Sequence, residues 1–470
     1  MRNSLDRLWL VIAVGLPALV ALLVPLPAVD LAYQVRAGAG IIATGVIPAS
    51  DTYTFTVAGV AWTDQQWLAQ VLLAAGHSLG GWELLAVLRA ALVASGSALV
   101  VLVARLRGAP LRTAAILSLI AFVVAAPALA LRPQLFAVVV FAGMLAMVAG
   151  RDRYPRAFLA APLLALLWAN LHGSFVLAPL LLGYAWLDDV ARAQPARRSA
   201  LVLVLGTVAT CVTPFGPVVW AYAAGIGANP VIAGRVSEWQ RTSPLTVPGA
   251  LFYLAAIGAA VVAWRGRARL SWADGLWLIG LTALAVWAER GVAWWPAGAV
   301  LVVAAALASP VEATVAPEAH HVASGGQRLV AVTAAVLGLA IVAALPWWRP
   351  ADPLTGRAGL LSYAPTGLAQ AVADHVQPGG RVVVPQTWGS WFEWAAPGAT
   401  YFVDSRFELF PADVWADYDA YAAGGAAADA ALARWRVDAV VIPTSWMAPS
   451  GAWTVVYKDD SGELLVRTVP

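Results

Sequence analysis

The polar residues with the chemistry for group transfer are concentrated in segment 27–70, PAVDLAYQVRAGAGIIATGVIPASDTYTFTVAGVAWTDQQWLAQ. Asp30 directly follows a long apolar run, and Asp51 lies in the short polar run ASDTYTFT. Transfer to a hydroxyl needs a base that takes its proton, and two nearby carboxylates could divide base and positioning roles. We therefore predict Asp30 and Asp51 as catalytic, and Gln34 and Gln66 as substrate-binding. The alternative is that Asp30 ends a helix and Asp51 is a cap or turn residue.

Three further polar residues stand between apolar runs: Arg132 in LRPQLF, His172 in WANLHGSF and Arg290 in AERGVAWW. A guanidinium can hold a phosphate through paired hydrogen bonds, and it stays charged when partly desolvated. A histidine can donate to a phosphate or act as an acid. We predict that these three residues bind a donor phosphate. The alternatives are interfacial snorkelling of Arg132, a packing role for His172 and an ion pair between Arg290 and Glu289.

The polar loop 214–246 contributes Glu238 and Arg241, within SEWQR. We predict that both bind substrate, and a solvated role is the alternative. The chain has one cysteine, Cys211, and it shows no HExxH, no GxSxG and no Gly-rich phosphate loop. With no DxD in the external loops of the membrane portion, a divalent metal has no support, and we predict neither a metal site nor another cofactor. A donor anchored in the membrane fits this chain better than a soluble nucleotide.

The elements that position these residues are apolar. Hydrophobic residues make up 61% of the 470, charged residues 12%, and the mean hydropathy is +0.75. This composition predicts an α-helical polytopic membrane protein. About eleven runs have the length of a helix: 8–29, 82–104, 113–131, 133–149, 157–171, 174–187, 199–213, 247–264, 273–288, 291–308 and 329–347. The first is too long for a simple signal peptide, so we expect it to be retained.

Orientation follows from the arginines, which cluster in every second connection. The connections predicted to be cytoplasmic hold Arg2, Arg7, Arg105, Arg107, Arg112, Arg151, Arg153, Arg156, Arg192, Arg197, Arg198, Arg265, Arg267, Arg269 and Arg328. The opposite side holds Arg36, Arg132, Arg235, Arg241 and Arg290. The N-terminus is therefore predicted in the cytoplasm and the C-terminus outside. Since the net charge of +3 reflects this topology, we predict no nucleic-acid partner.

After residue 348 the composition changes, which divides the chain into a membrane portion, 1–348, and a C-terminal portion, 349–470. Strands are predicted at 381–385, 399–406 and 438–443, a helix at 412–436 and a hairpin over 453–467 that turns at Asp460-Ser461-Gly462. The C-terminal portion is thus predicted to be a small extracytoplasmic α/β domain.

The order VDLAYQVRAGAGIIATGVIPASDTYTFT, followed by QWLAQ, resembles the first external loop of bacterial C-type (GT-C) membrane glycosyltransferases. These are relatives of oligosaccharyltransferase catalytic subunits and protein mannosyltransferases. The pieces RPQLF, WANLHGSF, SEWQ and YFVDSRFELFP look like those of bacterial members of the group. The resemblance implies that Asp30, just after the first span, is the catalytic base. It also implies a polyprenyl-phosphate sugar donor, inversion at the anomeric carbon and an acceptor on the external face.

We therefore expect an inverting GT-C-like glycosyltransferase, hexosyl or pentosyl, in the bacterial cytoplasmic membrane. Its partners would be a polyprenyl-phosphate-linked sugar, a glycan, lipid or protein acceptor, and membrane lipids. A transporter or flippase for lipid-linked saccharide is one alternative, and it predicts polar residues at mid-span and on both faces. A non-catalytic assembly subunit that displays the C-terminal domain is the other, with an intramembrane lipid ligase that uses an external Arg/His pair as a neighbouring enzymatic option.

Overall fold

A computed structural model describes residues 2–308, 324–349, 360–361 and 363–468. The chain forms two compact units. The first unit comprises Met1–Val24, Ala86–Ala224 and Val236–Trp348, and the second comprises Pro25–Leu85, Gly225–Arg235 and Arg349–Pro470. The second unit therefore contains all of segment 27–70 together with the C-terminal residues.

Helices account for most of the chain before the sheet. In chain order they are α1 (Arg2–Leu23), α2 (Leu31–Thr44), α3 (Trp67–Leu106), α4 (Leu111–Ala125), α5 (Pro133–Ala149), α6 (Pro155–Phe158), α7 (Ala161–Leu171), α8 (Leu177–Ala191), α9 (Arg197–Ala209), α10 (Val218–Ala228), α11 (Pro230–Arg235), α12 (Val247–Arg265), α13 (Trp272–Trp287), α14 (Trp295–Ala306) and α15 (Ser324–Ala343). Each predicted apolar run overlaps one of these helices, and the run 133–149 coincides with α5. Helices α2, α10 and α11 were not predicted, because all three lie in segments that read as loops.

Six helical segments in the described part of the chain are long and apolar enough to cross a membrane: Asp6–Leu23, Trp67–Leu106, Leu111–Ala128, Gly173–Ala191, Val247–Arg265 and Gly326–Ala343. Shorter apolar helices, among them α5, α13 and α14, accompany them. These helices indicate a multi-pass membrane protein. The number of spans, predicted as about eleven, stays a prediction.

Helix α14 is the central helix of the first unit. All of its residues are buried, and it packs against α4, α5, α12 and α13. Its sequence, WPAGAVLVVAAA, is rich in small side chains, which let neighbouring helices approach closely. At Gly298 the side chain of Leu281 fills the space where a Cβ would lie. The core around α14 is therefore apolar, and the charged residues next to α5 and α13 lie at or beyond the ends of those helices.

One set of helix ends in the first unit is held together by buried ion pairs. Arg151, just after α5, contacts Asp188 at 2.6 Å, and Arg192 contacts Asp274 in the first turn of α13 at 2.8 Å. Arg107 contacts Asp274 at 2.7 Å. All three arginines belong to the connections predicted to be cytoplasmic. The network explains why these carboxylates are tolerated in or beside apolar helices, since each is paired.

The second unit contains a five-stranded mixed sheet with the strand order β2-β1-β3-β5-β4. Its elements are α16 (Thr366–His375), β1 (Arg381–Val383), α17 (Gln386–Ala395), β2 (Thr400–Tyr401), α18 (Ala412–Ala423), α19 (Gly425–Arg434), β3 (Ala439–Pro443), β4 (Trp453–Lys458) and β5 (Gly462–Arg467). Strands β2, β1 and β3 are parallel, whereas β5 runs antiparallel to β3 and to β4. The predicted strands at 381–385 and 438–443 and the predicted hairpin are confirmed.

Two predicted elements are shorter than expected. The strand expected over 399–406 is ordered as a strand only at Thr400–Tyr401, because the Asp404 carboxylate turns back to accept the backbone N–H of Arg406 at 2.6 Å. The single helix expected over 412–436 is two helices. Gly424 between them has φ +75°, which an α-helix cannot accommodate.

Segment 27–70 continues the sheet of the second unit. The backbone N–H of Phe55 donates to Tyr401 O at 3.0 Å, and the N–H of Tyr401 donates to Tyr53 O at 3.2 Å. Thr54 and Tyr401 form a parallel bridge. Residues 53–55 thereby pair with the outer edge of β2, which would otherwise expose unpaired backbone groups.

Candidate functional site

Four predicted site residues come together at one set of helix ends in the first unit. Arg132 immediately precedes α5, and His172 lies in extended conformation between α7 and the turn that leads into α8. Arg290 lies in the 3₁₀ turn Glu289–Ala293 after α13, and Glu238 lies in the turn Ser237–Trp239. Arg132 forms an ion pair with Glu238, and Arg290 Nη2 lies 3.1 Å from His172 Nε2.

His172 is buried, with 4% of its surface exposed. Its Nδ1 lies 2.7 Å from Ser174 Oγ, which also accepts a hydrogen bond from Trp168 Nε1 at 3.0 Å. Burial, together with the positive charges of Arg290 and Arg132, holds the pKa of His172 well below its usual value. The ring is therefore neutral at neutral pH, and the partner that the structure gives its Nε2 is Arg290.

A cavity in the first unit is lined by polar residues on one part of its wall and by apolar residues on the rest. The polar lining is Gln134, Glu238, Thr242, Glu289 and Arg290, and the apolar lining is Val124, Pro127, Ala128, Pro248, Gly249 and Val292. Burial acts to raise the pKa of Glu238, but Arg132 and Arg290 hold it below its usual value. The carboxylate therefore stays ionised between two guanidinium groups. Arg290 is the cationic residue of this lining, beside the carboxylates of Glu238 and Glu289, and the apolar residues suit an apolar chain.

Arg290 is held from two sides. Its guanidinium lies over the Trp239 ring, 5.4 Å from the ring centroid, in addition to its contact with His172. Stacking on an aromatic face leaves the edge of a guanidinium available for hydrogen bonds. Gln134, which is 4% exposed and lines the same cavity, was not predicted. Its place directly after Pro133 in RPQLF, at the start of an apolar helix, was the available signal.

Asp30 lies in the second unit, at the residue that precedes α2. Its side chain is half-buried and makes no capping hydrogen bond to the described N-terminus of α2. Capping therefore does not account for this carboxylate. The apolar run that precedes it is shorter as a helix than predicted, since α1 ends at Leu23.

Asp51 is buried in the second unit and binds its own loop. One carboxylate oxygen accepts from Arg406 Nη2 at 2.5 Å, and the other accepts from the hydroxyl of Thr54 at 2.7 Å and from its backbone N–H at 3.0 Å. These contacts correspond to the turn-residue alternative. The catalytic role predicted for Asp51 stays a prediction, and the contacts show that this carboxylate also holds its loop.

Arg406 is the centre of this cluster in the second unit. It pairs with Asp51 and Asp404, and its guanidinium lies 4.6 Å from the Trp62 ring centroid and 4.9 Å from that of Tyr53. Its side chain is 1% exposed. The sequence alone assigns no role to the DSR stretch, because no sequence pattern indicates that Arg406 contacts Asp51, which lies 355 residues earlier.

The two predicted glutamines are hydrogen-bonded to each other. Gln34 Nε2 donates to Gln66 Oε1 at 3.1 Å and to Tyr33 Oη at 3.0 Å. Nearby in sequence, the buried Asp64 accepts from Gln70 Nε2 at 2.7 Å, and burial raises the pKa of Asp64 to about 7. Asp64 was not predicted as a site residue.

Arg241 is exposed, three residues beyond Glu238. Within the described ranges, no three His, Cys, Asp or Glu side chains are grouped as a metal site would require.

No protein-family model matches the chain, and no curated protein matches it. Solved structures do. The crystal structure of the Archaeoglobus fulgidus oligosaccharyltransferase, tethered to an acceptor peptide with the NVT sequon, aligns with a TM-score of 0.63 at 12% identity, over 93% of this chain and 69% of that one. Its apo form aligns with a TM-score of 0.58 at 13% identity, over the same shares of the two chains.

The cryo-EM structure of the mycobacterial arabinofuranosyltransferase AftD aligns with a TM-score of 0.58 at 17% identity. The alignment covers 98% of this chain and 40% of AftD. The chain has a GT-C glycosyltransferase fold. The expected likeness to this group is thereby confirmed at the level of the fold, and identities of 12–17% support no more than the fold.

Proposed function

We propose that this protein is an inverting membrane glycosyltransferase that moves a sugar from a polyprenyl-phosphate donor to an extracytoplasmic glycan, lipid or protein acceptor. The observation that carries the proposal is the guanidinium of Arg290 at the wall of a partly apolar cavity within a GT-C fold, with Arg132 paired to Glu238 of the same lining. A guanidinium favours a phosphate, and the apolar lining favours the chain attached to it.

In the proposed reaction the acceptor hydroxyl attacks the anomeric carbon and the bond from that carbon to the phosphate oxygen breaks. We assign Asp30, in the second unit, as the general base that takes the hydroxyl proton, as the likeness to GT-C enzymes implies. Arg132 and Arg290, in the first unit, are assigned to the negative charge of the departing polyprenyl phosphate. Glu238 orients Arg132. Gln34, Gln66 and Arg241 are assigned to substrate binding, and Asp51 to positioning of its loop. The inversion follows from a single displacement.

The apolar centre of the first unit argues against the transporter alternative. A transporter for a lipid-linked saccharide needs polar contacts at mid-span, whereas α14 is apolar throughout and the ionised residues of α5 and α13 lie at or beyond their ends. Polar clusters lie at both ends of these helices, and no charged residue of the described α5, α13 or α14 lies at mid-span.

The test is release of polyprenyl phosphate from a panel of short-chain polyprenyl-phosphate hexoses and pentoses, with envelope extract as the acceptor source. Release of the leaving group is the same product whichever acceptor takes the sugar. We expect Asp30→Asn to lower the rate by at least about 100-fold, since a positioned base contributes roughly 10²–10⁴. The exposed Asp460→Asn is the matched control and should leave the rate unchanged. Full activity of Asp30→Asn would remove the assignment of the base, and no release from any donor would favour the non-catalytic assembly subunit.

A further inference from the structure

The contact between His172 and Arg290 joins a guanidinium, which can only donate, to an imidazole nitrogen whose role depends on the tautomer of the ring. A guanidinium has no acceptor, so the 3.1 Å contact requires an unprotonated Nε2 on His172. The single proton of the neutral ring then lies on Nδ1, which faces Ser174 Oγ at 2.7 Å. The backbone N–H of Ser174 lies 3.1 Å from Nδ1 and would need that nitrogen as its acceptor. One neutral ring cannot accept at both nitrogens, and the guanidinium is the stronger donor because its hydrogen bond is charge-assisted.

We propose that His172 is a positioning residue, which accepts a hydrogen bond from Arg290 and so holds that guanidinium at the cavity wall. The predicted role for His172 was a direct contact with phosphate. The inference rests on the proposed function, because Arg290 is the residue assigned there to the phosphate.

The histidine ring is itself fixed by its surroundings. Trp168 Nε1 donates to Ser174 Oγ at 3.0 Å and so holds this oxygen in place beside Nδ1 of His172. The ring of Trp294 lies 6.4 Å from the His172 ring, and Trp168 packs against Trp294 with centroids 5.7 Å apart. The imidazole therefore has little freedom to rotate, and its Nε2 points in one direction. A second-layer hydrogen bond of this kind orients the group that meets the ligand.

The test uses the purified full chain and undecaprenyl monophosphate as probe, with undecaprenol as the phosphate-free control lipid, and measures binding by native mass spectrometry. His172→Phe keeps an aromatic ring but loses both nitrogens, and we expect it to weaken undecaprenyl phosphate binding by at least about tenfold, the effect of one hydrogen bond to a charged group. Undecaprenol binding should not change. His172→Gln retains an acceptor, and we expect it to bind undecaprenyl phosphate within about threefold of the native chain.

A double-mutant cycle separates positioning from a direct contact. If His172 acts through Arg290, then Arg290→Met and the double variant should bind undecaprenyl phosphate equally weakly, since the histidine has nothing left to position. Additive losses would overturn the proposal, as would unchanged binding by His172→Phe. Equal melting temperatures of the variants serve as the folding control.

A density map of His172→Phe gives a readout that needs no lipid. Displacement of the Arg290 guanidinium from its place over Trp239 is the expected result, and an unmoved guanidinium would overturn the inference. Failure of the native chain to bind undecaprenyl phosphate, with Arg290 displaced in the variant, would instead remove the proposed donor and leave the positioning role in place.

Discussion

Asp64 is a carboxyl group whose protonation should set part of the pH dependence of stability. Burial raises its pKa to about 7 in the folded chain, whereas an unfolded Asp titrates at about 4. The folded state therefore binds this proton more tightly. The resulting stabilisation is fully present below pH 4 and is lost as the pH rises through about 7.

We predict that Asp64→Asn removes this dependence, because the amide keeps an acceptor for Gln70 and carries no charge. At pH 8 the variant should be more stable than the native chain by up to about 4 kcal/mol, and at pH 4 the two should be similar. Thermal unfolding in detergent at both pH values measures the difference, with Asp460→Asn as the control. Equal destabilisation at both pH values would contradict the prediction.

The sequence identified four polar residues that come together in the first unit, but it did not identify which residues they contact. Arg132, His172, Glu238 and Arg290 were singled out because polar groups are costly among apolar runs. That argument says that each needs a partner, not which one. The pairing of Arg132 with Glu238 joins positions 106 residues apart, and Arg290 contacts His172, where the sequence offered Glu289 as the competing partner. Tertiary packing decides between such partners.

At the scale of elements, helix α2 packs closely against the start of α3, and its sequence does not indicate this contact. Its sequence, LAYQVRAGAGIIAT, contains two glycines, which lower helix propensity and made the segment read as a loop. A Cβ at Gly38 would collide with the backbone carbonyl of Gln70 at the start of α3, whereas a Cβ at Gly40 would meet nothing within 4 Å. The close packing at Gly38 therefore outweighs the low helix propensity of the two glycines.

These two glycines give a matched pair of variants in one helix. Gly38→Ala should destabilise the protein by more than about 2 kcal/mol, because backbone or helix must shift to admit the methyl group. Gly40→Ala should be neutral or stabilising by up to about 1 kcal/mol through helix propensity alone. Thermal unfolding compares them, and similar effects at the two positions would show that α2 does not pack tightly at Gly38.

The remaining helices and strands were predictable where a local pattern of apolar residues determines them. The apolar runs located the helices of the first unit, and the short apolar segments located β1 and β3. The end of β2 depends on the turn at Asp404 and on Arg406, whose other partner, Asp51, comes from segment 27–70. No local pattern reveals that contact.

At the scale of the molecule, the first unit has polar clusters at opposite ends of the same helices. Helix α5 has Arg132 before its first residue and Arg151 after its last, and α13 has Asp274 in its first turn and Arg290 after its end. The 17 residues of α5 span about 26 Å, which approaches the roughly 30 Å of a hydrocarbon core. The ion-pair network and the proposed phosphate site are therefore placed to lie at the two membrane surfaces.

This arrangement makes the predicted orientation testable with single cysteines. In a Cys211→Ser background, Arg241→Cys marks the end of the unit with the proposed site and Gln194→Cys marks the end with the ion-pair network, and both positions are exposed. With the N-terminus in the cytoplasm, a membrane-impermeant maleimide should label Arg241→Cys in intact spheroplasts and Gln194→Cys only after lysis. The reverse pattern would place the site in the cytoplasm, where an extracytoplasmic acceptor could not reach it, and the proposed reaction would have to be abandoned even if the guanidinium pair binds phosphate.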